Sequence, residues 1–391
     1  MPPDASSPTP DLAAAWPQHT PRIYFDPVST NAAEILCELA VDLVDSPFEA
    51  DLLWIRKDPA DWYAGLEAFQ ALNHIPHEGA MVRKADLAEK LHAYGAAQAP
   101  DAFSHRDFFP ETYRLNDPHE AAAFMAQLPH VDSPENPWIL KPSNLSRGRG
   151  VKIVWRFDAL RKELRKHGEI TFRYEGDTYE YVIQRYIKDV LLLDGKKSEL
   201  RIYWLIASLD PLLVLMYPEG TARLTLEPYK LDDFSNPLIH ITNAYQQKKH
   251  GGERPDAELK WDFARLQAYL SKEKGAPENF VSEVLPRRLM GSLEYVVRAC
   301  IDSLRQTPPS GFFFGVYGAD VILDQQLTPW LTEIQKGPGL SYDDSVKRRV
   351  LPAMLKGAVS IVLEILAKKR QGKPLTPLSS THGFEWVIGG H

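Results

Sequence analysis

The sequence predicts a mixed α/β (α+β) protein built in several lobes, with a ligand held between two β-rich ones. Three observations carry that expectation. The chain begins by alternating strand, helix and strand, as α/β layers do. A glycine–arginine loop joins two apolar strands in its first half, and two late apolar strands each carry a carboxylate. At 391 residues the chain can form two or three cores. The predicted divisions are a short disordered leader (1–20), an N-terminal α/β lobe (21–108), a central lobe (109–196), a C-terminal lobe (197–370) and a surface tail (371–391).

PRIYFD at 21–26 reads as the first strand, a helix follows over about 31–43, and LLWIR at 52–56 is the second strand. Helical spacing runs over 83–97, and FPETYRL at 109–115 leads into the central lobe. A helix near 118–127 precedes the strand WILKP (138–142), the loop SNLSRGRG (143–150) and the strand VKIVW (151–155). FDALRKELRKHG (157–168) is a charged amphipathic helix, and YEYVIQRYI (179–187) has the composition of a buried strand. Two apolar strands occupy 199–226 with a turn at Asp210-Pro211, and two helices follow at roughly 256–274 and 280–305. GVYGADVILD and LTPWLTEIQ (315–335) form a strand pair around a turn at Asp324 to Gln326. The last helix spans about 345–370, and in the surface tail after it Trp386 could dock on the body of the protein.

An apolar fraction of 44% and a charged fraction of 25% are ordinary for a globular protein. A net charge of −7 argues against general nucleic-acid binding, which needs a basic field. Cys37 and Cys300 read as two buried thiols in a reducing compartment. No apolar run reaches the roughly 18 residues of a membrane span, and the first twenty residues lack the pattern of a secretory signal. The expected setting is cytoplasmic. P-loop, Rossmann, HExxH, GxSxG and CxxC patterns are absent, which leaves those chemistries without support.

In the loop after WILKP, Arg147, Gly148, Arg149 and Gly150 let backbone N–H groups approach phosphate oxygens, with Lys141 reaching the same space as a point charge. A solvated basic hairpin would look the same. Asp320 and Glu333 lie inside apolar strands, where an unpaired charge is costly. They could hold Mg²⁺ with phosphate oxygens, or pair with Arg or Lys. Lys197, Glu199 and Arg201 alternate and so share one strand face, Arg223 follows on the next strand, and Thr242-Asn243 add further polar groups. An arginine pair can clamp a carboxylate in fork geometry, although each arginine alone would pass as surface decoration. Their order along the chain fits ATP held between two β-rich lobes with magnesium at the back wall.

Several ordered segments resemble the tubulin tyrosine ligase family, which includes tubulin polyglutamylases and polyglycylases. QALNHIPHEGAMVRKADLAEKL, DFFPETYRL, WILKPSNLSRGRGVKI, YVIQRYI through EGTARL, HITN and GVYGADVILDQQLTPWLTEIQKGPGLS carry it, over roughly 73–362. The resemblance implies an ATP-grasp fold and a ligase using ATP and Mg²⁺, which activates a carboxylate as an acyl phosphate and joins it to an amine. It implies that Lys141 and the 147–150 loop contact the ATP phosphates, and that Gln184, Arg185, Tyr186 and Ile187 form the adenine hinge. Lys197, Glu199, Thr242 and Asn243 are implied to lie at the nucleotide, and Arg201 and Arg223 at the substrate carboxylate or acyl phosphate. Asp320, Glu333 and Gln335 are the implied magnesium ligands.

In two places the chain departs from the family pattern: Glu199 stands for an aspartate and Gln335 for an asparagine. Each lengthens a side chain by one methylene, to which magnesium geometry is sensitive. The implied partners are a free amino acid (tyrosine, glutamate or glycine) and a protein acceptor such as the acidic tail of tubulin, without nucleic acid or membrane; a monomer suffices. A cytoskeletal association would follow from a tubulin substrate. A ligase of a non-tubulin protein or peptide, or an ATP-binding scaffold without turnover, are the alternatives. Basic clusters for an acidic tail are Arg161 to Lys166, Lys248-Lys249, Arg348-Arg349 and Lys368 to Arg370.

Overall fold

Three sheets, counted among the described residues, organise the chain. The computed structural model describes residues 15–56, 63, 65–131, 133–167, 171–252, 259–308, 310–341 and 344–390. The first sheet is parallel throughout: Arg22–Phe25 lies between Asp42–Val44 and Leu52–Trp54, followed by Ala71–Leu72 and, from far along the chain, Phe312–Phe313. The central sheet is antiparallel, with strands Thr112–Arg114, Asp177–Arg185, Trp138–Pro142 and Lys152–Val154 in that order, and Thr171–Tyr174 beside Asp177–Arg185. The third sheet, of seven strands, forms the base of the molecule. Its middle is Leu212–Leu224, Lys196–Leu209, Gly315–Leu323 and Pro329–Lys336, all antiparallel.

Within Lys196–Leu209 the stretch Ile202–Ala207 is continuously apolar because both of its faces are covered. Ile202, Trp204 and Ile206 join one core cluster, whereas Tyr203, Leu205 and Ala207 join another. The helices Lys84–Ala96 and Leu285–Leu304 contribute to the first cluster, and Ser345–Arg370 to the second. The last helix contains an 18-residue window of mean hydropathy 1.9, so one stretch is long and apolar enough for a membrane span, contrary to the sequence expectation. That window is 83% buried inside the protein, as a core helix would be. Asp344 caps the helix by accepting from the Lys347 N–H, and its other oxygen lies 2.7 Å from the buried Lys260 ammonium.

Most sequence-derived elements lie within a few residues of their expected places, with five corrections. The helix expected over about 256–274 begins at Phe263, after the strand Lys260–Asp262. The first helix stops at Leu36, and the residues after it give the strand Asp42–Val44. Cys37 is exposed; only Cys300 is buried. The leader is described from residue 15, where Trp16 is buried and donates to the Leu363 carbonyl; residues 1–14 lie outside the described residues. The tail is not a surface appendage. Glu385–Ile388 pairs with Leu212–Leu224, Phe384 is 3% exposed with its ring 5.1 Å from Tyr217, and Ser379 bonds to Glu364. A glycine at 357 is what lets this segment cross the long helix, since a Cβ there would stand 3.0 Å from the His382 carbonyl.

Phe384→Ala is therefore expected to destabilise the whole protein by about 3–5 kcal/mol, the cost of a buried Phe→Ala cavity. The midpoint of chemical denaturation measures this, and an unchanged midpoint would return the tail to the surface.

Candidate active site

Strand alternation places Lys197, Glu199 and Arg201 on one face, and the ladder sets Asp320 opposite Arg201 on one side and opposite Glu333 on the other. Arg201 grips Asp320 with both prongs, Nε to Oδ1 at 2.7 Å and Nη2 to Oδ2 at 3.2 Å. Arg223 Nη2 lies 2.7 Å from the same Oδ1 and 3.1 Å from Glu199 Oε2. Gln335 Nε2 donates to Asp320 Oδ2 at 3.2 Å. Burial alone would raise the Asp320 pKa; Arg201 and Arg223 outweigh it and hold the carboxyl at about 2. Gly318 makes room for this arrangement, because a Cβ there would come within 3.0 Å of Arg201 Nη1. The arginine pair thus clamps a carboxylate, and that carboxylate is Asp320.

Glu333 Oε1 sits 2.8 Å from Lys84 Nζ, which also donates to the Leu145 carbonyl at 3.0 Å. Lys84 comes from the N-terminal lobe and ties it to both other lobes. Sequence reading passed over this residue as a site candidate; its signal was a lysine at the very start of a helix, in RKAD, where a cation opposes the helix dipole. The backbone N–H groups of Lys84 and Ala85 bond to the carbonyl and hydroxyl of Ser143, which anchors the start of the glycine loop.

From the central sheet, the Lys141 ammonium lies 2.7 Å from Gln184 Oε1, and Gln184 Nε2 donates to Thr112. Burial lowers the Lys141 pKa to about 8, against the pull of Glu333. Lys197 lies over the Tyr186 ring and donates to its hydroxyl at 3.1 Å. Burial lowers Lys197 further, to about 7, despite Glu199. His240 Nε2 is 3.0 Å from the Asp233 carbonyl, so that nitrogen carries the proton and Nδ1 accepts from the Tyr186 hydroxyl at 2.9 Å. Burial, reinforced by Lys197, brings His240 to about 4 and keeps it neutral.

Thr242 donates to Glu199, and Asn243 caps the helix Ala244–Gly251 with its side-chain oxygen. Arg147, Gly148 and Gly150 all have positive φ, and a Cβ at Gly150 would meet Pro142 at 2.8 Å. Arg185 lines the narrow cavity as well, while its guanidinium bonds Glu111 at 2.8 Å and lies over the Trp138 ring. The strand carrying it ends there, so Tyr186 and Ile187 lie in the connection that follows.

Two cavities meet here. A narrow one of about 90 Å³ is lined by Lys141, Gln184, Tyr186, Lys197, Glu199, Asp320 and Glu333. A wider cleft of about 790 Å³ opens from Glu333 and Gln335 toward the N-terminal lobe, and Arg56, Arg83, Arg147, Arg201, Arg223, Lys336 and Lys347 line it. Glu333 is the one carboxylate among its lining residues. A third cavity, of about 920 Å³, lies beyond Arg185 and contains neither Lys141 nor Asp320, so volume does not mark the site. Of the basic clusters expected from sequence, Lys368 and Arg370 are structural, pairing with Glu364 and the buried Asp51. Arg349 pairs with Asp262, and the side chains at 163–166 lie outside the described residues. The cations that line the cleft are instead spread over distant segments.

The lowered lysines make stability pH-dependent with a definite sign. Lys197 has an ordinary value of 10.5 and a folded value of about 7, so between these the unfolded chain binds a proton that the folded chain lacks. Stability therefore rises with pH through that window. Lys197→Met is expected to gain less stability than the wild type between pH 7 and pH 10 in parallel denaturation series. Identical slopes would mean that Lys197 keeps its proton when folded.

Residues 64–371 match the Tubulin-tyrosine ligase family. The chain is 30% identical over 300 residues to "Protein polyglycylase TTLL10" of Macaca fascicularis, covering 73% of this chain and 46% of that protein. It is 28% identical over 319 residues to "Probable alpha-tubulin polyglutamylase Ttll1" of Tetrahymena thermophila, covering 76% and 73%. With "Inactive polyglycylase TTLL10" of Homo sapiens it shares 30% identity over 299 residues, covering 73% and 42%. The chain thus spans less than half the length of two of these relatives. The protein belongs to the tubulin-tyrosine ligase family.

Proposed function

We propose that the protein is an ATP- and Mg²⁺-dependent ligase that joins a free amino acid to a carboxylate of an acidic polypeptide, with the tail of tubulin as its acceptor. The observation that carries this reading is the Asp320–Glu333 cross-strand pair, set beside Lys141 where a narrow cavity adjoins a cationic cleft. The relatives' names, polyglycylase and polyglutamylase, favour glycine or glutamate over tyrosine as the amino acid added. A tubulin acceptor places the enzyme in the cytoplasm, at the cytoskeleton.

The reaction asks for positioning and charge neutralisation. The acceptor carboxylate attacks the γ-phosphorus of ATP, releasing ADP and leaving an acyl phosphate. The amino group of the incoming amino acid then attacks the acyl carbon; phosphate leaves and the amine gives up a proton, forming the amide. Lys141, Arg147 and the 147–150 backbone N–H groups would face the phosphates, with Lys197 and the 184–187 segment at the base. Phosphate oxygens nearby would raise the lowered pKa values of Lys141 and Lys197 and so charge both. Arg201 and Arg223 line the wide cleft, where they would orient the carboxylate being activated.

The donor set suits magnesium: two carboxylates and an amide oxygen, from Asp320, Glu333 and Gln335, to be completed by phosphate oxygens. Among the described residues no group of three or more His, Cys, Asp or Glu could hold a metal alone, so binding would require the nucleotide. Bound there, the ion would neutralise charge on the transferring phosphoryl group. To coordinate it, Glu333 has to release Lys84, and Asp320 has to share its oxygens with two arginines. That full pairing is the observation favouring a second reading, a nucleotide-binding scaffold without turnover. A ligase acting on a non-tubulin protein or peptide would use the same site.

Labelled tyrosine, glutamate and glycine, offered separately to purified tubulin and to lysate with Mg-ATP, discriminate among these. Labelling of tubulin by glycine or glutamate is expected. Labelling confined to another lysate protein would discard tubulin, and silence with all three alongside measurable ATP binding would favour the scaffold. Glu333→Gln should cut incorporation by at least about 100-fold, given the several kcal/mol that metal charge stabilisation contributes, with circular dichroism unchanged. If Gln335→Asn instead raises turnover strongly, the longer side chain impairs the native site.

A further inference from the structure

We infer that Gln246 is a positioning residue that latches the glycine loop shut across the narrow cavity, so that a nucleotide is admitted only when this latch lets go. The role rests on the nucleotide reading above, but the latch itself rests on contacts between two lobes. The loop belongs to the central lobe, between Trp138–Pro142 and Lys152–Val154. Gln246 belongs to the C-terminal lobe, on the helix Ala244–Gly251, and is 8% exposed.

Three contacts join them at one point. Gln246 Nε2 donates to the Arg147 carbonyl at 2.9 Å. The Arg147 guanidinium lies 5.9 Å from the centre of the half-exposed Tyr245 ring. Gly148 presses its backbone on the same segment, since a Cβ there would fall 3.0 Å from Gln246 Cγ and 3.1 Å from Ile241 Cγ2. Arg147 is also a non-glycine residue in the left-handed region, with φ 63°. Its conformation is unfavourable by itself and is held by what the carbonyl bonds to.

The space under the latched loop is about 90 Å³, well below the roughly 300 Å³ of small ligand pockets. Lifting the loop breaks the Gln246 bond and opens the cavity toward the wide cleft, with which it shares Lys84, Leu145, Asn243, Glu333 and Gln335. Reclosing would seal the acyl phosphate from water. Lys84, bonded to Leu145 and Glu333 together, is the hinge-side anchor; Gln246 is the free-side catch.

Gln246→Met keeps the size and removes the donor. Hydrogen exchange of the amides at 146–150, measured on the whole protein without nucleotide, is expected to speed up about fivefold, the equilibrium worth of one neutral hydrogen bond. Exchange in the long helix Ser345–Arg370 serves as the folding control and should not change. The association rate of a fluorescent ATP analogue should rise by a similar factor, with little change in the rate of amide formation at saturating ATP. Unchanged exchange at 146–150 overturns the latch. Faster exchange with an unchanged association rate overturns its gating role. If the wild type binds no ATP analogue while the variant's loop exchanges faster, the latch stands and the nucleotide reading fails.

Discussion

The structure turns on one buried carboxylate. Asp320 lies in the middle of the seven-stranded sheet, and removing an ion from water is costly unless it is paired and hydrogen-bonded. Arg201 supplies a bidentate partner from one neighbouring strand, Gln335 an amide from the other, and Arg223 reaches across from the strand beyond. Glu199 then balances Arg223, and Thr242 and Thr332 bond to Glu199. The floor of the candidate site is thus one continuous polar network, made necessary by the first charge. Removing one member leaves its partner as an uncompensated buried charge, which is strongly destabilising.

The same logic assembles the lobes. Glu333, opposite Asp320, takes its cation from the N-terminal lobe, and that cation, Lys84, fixes the start of the glycine loop. Burial lowers the pKa values of Lys141 and Lys197, and the nearby carboxylates offset it only in part. Both ammonium groups keep polar partners in the meantime, Lys141 on Gln184 and the Thr332 carbonyl and Lys197 on the Tyr186 hydroxyl.

A separate polar cluster sets the N-terminal lobe on the sheet. Glu78 accepts from the Tyr317 hydroxyl at 2.7 Å, lies 3.0 Å from His74 and 3.3 Å from the Lys336 ammonium. Lys336 thereby stands in the wall of the wide cleft beside Gln335. The cleft is cationic because side chains from all three lobes converge there, even though the whole chain carries −7. Local geometry, not net charge, decides what such a surface attracts.

Periodicity and composition were enough to place most strands and helices, the loop 143–150, and the strand face shared by Lys197, Glu199 and Arg201, because these depend on near neighbours in the chain. The resemblance of ordered segments pointed to the family for the same reason. What the sequence left open depended on contacts between residues far apart in it. Asp320 and Glu333 each had two readings, metal ligand or ion-pair member, and only the ladder register and the positions of Arg201, Arg223 and Lys84 show that both are ion-paired. Arg185 sits within the expected hinge and lines the narrow cavity, but that its guanidinium meets Glu111 and Trp138 is a long-range contact that no local pattern shows. The tail lacked a long apolar pattern and was read as surface, but its strand pairs with a sheet edge whose existence no local pattern announces. Sequence by itself determined the elements and the residue types available for chemistry. The tertiary structure decided which charges meet, since a buried charge is settled by whichever partner the fold delivers, and that partner can lie some 250 residues away, as Lys84 does from Glu333.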